Sequence, residues 1–163
     1  MTRRREDRAV SVTVNYVIAL ALSAILVSGL LVAGGTFLEN RQESVTREEF
    51  DVLGEQLATG IAETDSMAAT GADELRVAVQ LPGSVAESGY LIRVSENAPP
   101  TDQPGEYVLT FSSPVSDVSR NVTVRTQVPM AETQVAGGTV VVVLDDEGGD
   151  HLSLVTNGEV NPD

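Results

Sequence analysis

The sequence predicts an α+β fold: a long N-terminal membrane-spanning helix followed by a small antiparallel β-sheet domain. Three observations carry this. No residue from Ala9 to Leu38 is charged. Residues 39–66 lack proline and repeat apolar side chains at helical steps. From Leu75 onward, short runs alternate apolar and polar residues between proline- and glycine-rich punctuation.

The charge-free run is 30 positions long, ~45 Å as a helix. A bilayer core ~30 Å thick needs about 20 apolar residues, and Val17–Leu38 supplies them on all sides of the helix. A helix apolar all round must be buried in protein or lipid, and about 95 residues of globular chain are too few to surround it. The run is also about twice the apolar region of a secretory signal, which spans roughly 7–15 residues, so a retained anchor is expected. Arg3, Arg4, Arg5 and Arg8 precede it, and Glu39, Glu43, Glu48 and Glu49 follow. Positive flanks stay cytoplasmic, which predicts a single pass with the N-terminus inside and the acidic part outside. Tyr16 suits the membrane interface at the near end of the span, with Asn15 beside it at headgroup level. Within the span, Ser23, Gly29 and Ala33 are small enough to let helices approach closely, which predicts helix packing there.

The helix is expected to continue over 39–66. Phe50, Leu53, Leu57 and Ile61 share one face, and Glu43 precedes Arg47 by four residues, a supportive helical pair. Gly54 and Gly60 each weaken a helix by about 1 kcal/mol relative to alanine, predicting a kink or break. Thr64, Asp65 and Ser66 offer turn chemistry, and Gly71 a stop.

Strands are expected around Leu75–Leu81, Tyr90–Val94, Tyr107–Phe111, Val122–Val128, Thr139–Leu144 and Leu152–Leu154. The uninterrupted apolar run Thr139–Leu144 suits a central strand buried on both faces, and the polar link Ser95–Gly105 an exposed loop. With no helical pattern between them, the strands are expected to pair antiparallel.

Composition narrows the function. All ten basic residues are arginine against 24 Asp and Glu, and the formal net charge is −14. Beyond residue 8 the balance is 6 Arg against 22 acids, net −16. A polyanionic ligand needs a basic surface, so nucleic-acid binding is disfavoured. With no cysteine, disulfides, thiolate metal sites and thiol nucleophiles are excluded. His151 stands outside any HExxH context, and no glycine-rich phosphate loop occurs. The acidic run Asp145–Asp150 offers hard oxygens of the kind Ca²⁺ takes, but without EF-hand spacing; an acidic turn is expected. No catalytic residue, metal site or cofactor is predicted. Asn121-Val122-Thr123 is an N-glycosylation sequon.

Residues 8–13 read Arg-Ala-Val-Ser-Val-Thr, where charge gives way to apolar residues. This resembles the class III signal peptide of haloarchaeal type IV pilins. Acid-rich, lysine-free composition likewise resembles proteins of extremely halophilic archaea, in which molar salt screens self-repulsion to within ~3 Å. The pilin resemblance covers residues 1–38 closely and the remainder in layout. It implies cleavage by a prepilin peptidase at the junction Arg8, Ala9, Val10, leaving Val10 as the mature N-terminus. Val12 stands where haloarchaeal pilins commonly have proline, and Val14 where bacterial pilins carry glutamate. The implied organisation is a basic leader over 1–9, a transmembrane or filament-core helix over 10–38, its extracellular continuation over 39–66, an antiparallel β domain over 72–157 and a tail over 158–163. The implied function is structural: a membrane-stored subunit of a surface filament. Its implied partners are the membrane, the peptidase, and copies of itself or other pilins. The alternative is a single-pass anchored extracellular β domain acting as a binding or adhesion module.

Overall fold

A computed structural model describes residues 3–72, 74–98, 104–115, 118–145 and 151–156. It shows the α+β layout: one helix, α1 (Arg3–Ala68), and seven strands, β1 (Leu75–Gln80), β2 (Leu91–Ala98), β3 (Gly105–Ser112), β4 (Ser119–Thr126), β5 (Gln134–Ala136), β6 (Thr139–Asp145) and β7 (His151–Thr156). The chain divides into two units, residues 1–42 and 43–163.

In the second unit every strand pair within the sheets is antiparallel. The strands form two sheets, ordered β1-β6-β7 and β4-β3-β2-β5. A short stretch before β5 links them. The Leu152 N–H donates to the Pro129 carbonyl, and the Ala131 N–H to the Leu152 carbonyl, both at 2.7 Å. The apolar run of β6 is the central strand of its sheet, as its composition requires, with Val140, Val141, Val142 and Leu144 buried.

Residues 43–68 of α1 press one face on these sheets. Phe50, Leu53, Leu57 and Ile61 are buried, and each contributes about 1.5–3 kcal/mol by leaving water. They join Ile92, Leu109 and Phe111 from one sheet, Tyr90 just before β2, and Val79, Val140, Val142 and Leu154 from the other sheet in a single core. Phe50 packs its ring 5.6 Å from that of Tyr90 and 5.9 Å from that of Phe111.

The helix does not break at Gly54 or Gly60. A Cβ on Gly54 would overlap Val122, and one on Gly60 would overlap Val79. These glycines let the helix backbone sit directly on the sheets, and packing outweighs their low helix propensity. Thr64 and Asp65 are not turn residues either. Both are helical and buried. Thr64 donates its hydroxyl to the Gly60 carbonyl at 2.8 Å. The Asp65 carboxylate accepts the backbone N–H groups of Gln127 and Val128, each at 2.9 Å. The stop at Gly71 stands: its φ is 90°, and its N–H bonds the Ala68 carbonyl at 3.0 Å. The expected loop Ser95–Gly105 is partly strand, since β2 runs through Ala98 with a register shift between Glu96 and Ala98. Backbone pairing with β3 needs no apolar side chains, and an Asn97–Glu106 side-chain bond at 2.6 Å ties the two strands there.

Candidate functional site

The candidate site is the apolar half of α1. Residues 13–38 are all exposed, including Ile25 and Leu26 at 68% and Leu30 at 75%. The helix is long and apolar enough to cross a membrane. Two hydroxyls within it bond back to the helix, as an apolar solvent favours, since an unpaired donor there costs several kcal/mol. Ser23 donates to the Ala19 carbonyl at 2.8 Å, and Thr36 to the Val32 carbonyl at 3.2 Å.

The aromatic residues divide cleanly. Phe50, Tyr90, Tyr107 and Phe111 are buried in the core, while Tyr16 and Phe37 stand exposed on the apolar helix. The two lie 21 residues apart, ~32 Å along a helix, close to the ~30 Å of a hydrocarbon core. Just beyond, the Arg41 guanidinium sits 5.8 Å from the centre of the Phe37 ring.

Gly29 and Ala33 share one face of the helix, and beyond the local helix backbone no described atom comes within 4 Å of a Cβ built on Gly29. Ser23 lies about 120° around the helix from Gly29 at 100° per residue, so the three residues do not form one narrow seam. Arg8, Ala9 and Val10 belong to the opening turns of α1; their side chains lie outside the described residues. So do residues 146–150 of the acidic run, and the tail.

In the second unit, Asn121 and Thr123 project from β4 into solvent while Val122 between them points to the helix. Both polar atoms of the sequon are thus on the outer face of an edge strand. On that same face Glu106 is held below the usual carboxylate range by side-chain bonds from Arg125 and Asn97. The Tyr90 phenol is pushed up to about 12 by burial, and it donates to the Pro82 carbonyl at 2.8 Å. His151 pairs with Asp145 across the β6–β7 ladder. Among the described residues no three His, Asp or Glu side chains converge as metal ligands.

Sequence reasoning did not single out a groove of about 490 Å³ lined by Val45, Glu48, Glu49, Val52, Pro82 and Val85 among others. Its far wall is a tight hairpin in which Val85 and Ser88 exchange two backbone bonds around Ala86 and Glu87, both at positive φ. No asparagine or glycine marks that turn, so the usual hairpin signal is missing. Exposed Val45 and Val52 on an otherwise acidic helix face were the available hint.

A family model matches residues 5–155, from the first turns of α1 into β7. The chain belongs to DUF7266, a family of unknown function. The family thus takes in the apolar helix and the β unit together, so the apolar helix is part of what defines it. No curated protein and no solved structure matches the chain.

Proposed function

We propose that this chain is a type IV pilin-like structural subunit of a halophilic archaeal cell surface. In this reading α1 holds it in the cell membrane, N-terminus cytoplasmic and β unit outside, until the apolar helices bundle into a filament. One observation carries the reading: a single helix is apolar and exposed over residues 13–38, then packs one face against antiparallel sheets over residues 43–68. No chemistry is asked of the protein; assembly is the activity.

The mature N-terminus tests the processing step. Membrane-fraction protein should begin at Val10, and Arg8→Ala should block cleavage while Arg3, Arg4 and Arg5 still set orientation. A chain retaining its leader in cells with active peptidase counts against the reading. Assembly is tested by Gly29→Leu. A Cβ at this position meets no side chain within 4 Å and leucine leaves the segment as apolar, so insertion should persist. Close approach of neighbouring helices should not. The variant should accumulate in the membrane and vanish from sheared filaments.

The groove beside Val45 and Val52 favours a second reading, an anchored binding module. Under it the unsubstituted protein never enters a sheared fraction, and Gly29→Leu changes nothing.

A further inference from the structure

Six arginine side chains are described, and four pair with carboxylates: Arg47 with Glu43, Arg76 with Glu74, Arg120 with Asp51 and Arg125 with Glu106. Arg93 donates to the Gln134 side chain at 2.6 Å. Arg41 makes no ion pair among the described residues, in a chain where acids outnumber bases 24 to 10. The cause is local. Glu39 and Glu43 are each two residues away, and residues two apart on a helix do not face each other. The guanidinium turns instead over the Phe37 ring.

Position gives this pair a meaning. Phe37 closes a ~32 Å aromatic-to-aromatic span. Arg41 lies four residues further on, ~6 Å along the axis. A headgroup layer is about 5–7 Å deep on each side of the hydrocarbon. An aromatic body topped by a cation reproduces the apolar base and polar tip that suit that layer. Guanidinium offers paired N–H donors that match phosphate oxygens, and it sheds water more readily than an ammonium.

We propose that Phe37 and Arg41 form a lipid-headgroup site at the C-terminal end of the span, with the Arg41 guanidinium on a phospholipid phosphate and Phe37 in the acyl boundary beneath it. This rests on the membrane-anchored reading above. The site fixes the depth of α1 against the pull of the N-terminal arginines at the other end.

The absence of native cysteine allows a clean depth measurement on the full chain. Gly35→Cys carries a nitroxide, at a position where an added Cβ meets nothing within 4 Å. Its depth is read by power saturation in vesicles of phosphatidylglycerol, of phosphatidylcholine and of a phosphate-free galactolipid. Arg41→Ala should move the label toward the bilayer centre by about 3 Å, two residues of helix rise, in both phospholipids and not in the galactolipid. Arg41→Lys should move it less, because an ammonium keeps a charge for the phosphate but loses the paired donors and the stacking on Phe37. An equal shift in the galactolipid overturns the phosphate assignment, and no shift in the phospholipids overturns the site. A label exposed to water in every lipid while Arg41 is intact shows that the anchored reading itself has failed.

Discussion

Gly54→Ala sets two effects of known size against each other. On an open helix the change stabilises by about 1 kcal/mol. At this position the new methyl would overlap the Val122 Cγ2, with the Val122 Cβ at 3.4 Å and the Phe111 Cε2 at 3.5 Å. Valine is stiff about χ1, and its Cβ is fixed to the β4 backbone, so Val122 has little room to swing aside. Overpacking of this kind costs about 1–3 kcal/mol. With a branched, backbone-anchored neighbour the cost lies near ~3, giving a net loss of ~2 kcal/mol. For a unit of this size that lowers Tm by roughly 6–10 °C. Circular dichroism of a residue 43–163 fragment, heated in molar salt, measures it. Val122→Ala removes the obstructing methyls, so Gly54→Ala in that background should recover the loss and become neutral or stabilising. A rise in Tm from Gly54→Ala alone would show that the helix does not rest on β4 as described. Simple additivity of the two substitutions would show the same.

Asp65→Ala removes the acceptor of the Gln127 and Val128 N–H groups and should cost about 3 kcal/mol; Asp65→Asn, which keeps one oxygen, should cost less by thermal melts. Among the described residues the buried Tyr107 hydroxyl has no hydrogen-bond partner, so Tyr107→Phe should be neutral or stabilising by up to ~1 kcal/mol, and a clear drop in Tm would argue against it. Because the Tyr90 phenol is raised to about 12 from 10.0, its contribution is intact below pH 10 and lost as pH rises toward 12, about 2–3 kcal/mol in all; stability against pH should show this loss, and Tyr90→Phe should flatten it. The acidic excess predicts that the 43–163 fragment loosens as salt falls from molar to 0.1 M, where like charges repel over ~10 Å; an unchanged dichroism signal and Tm on desalting would refute that.

The elements that composition reveals were legible because their burial is periodic. Phe50, Leu53, Leu57 and Ile61 mark a helix face whatever it packs against, and the valines of β6 mark a doubly buried strand. Strand β5 was not legible, since Gln-Val-Ala is too short to show a period. The division into two sheets depends on strand order, which no local pattern carries. Gly54 and Gly60 looked like helix breakers because propensity is local, whereas the overlap that explains them comes from Val122 and Val79, far away in sequence. Asp65 misled for the same reason, since a carboxylate that favours turns is an equally good acceptor for a distant backbone, here Gln127 and Val128; Thr64 instead turns its hydroxyl back onto the Gly60 carbonyl of its own helix. At the candidate site the apolar span could be read directly. The stacking of Arg41 on Phe37 could not, because a single i, i+4 pair carries no periodic signal.

The seating of residues 43–68 of α1 along both sheets has a mechanical consequence. A pull applied at Glu43 along the helix axis travels down the segment that carries Phe50, Leu53, Leu57 and Ile61. Those four side chains, the seated Gly54 and Gly60, and the Asp65 clamp then bear the load together in shear rather than one after another in peeling.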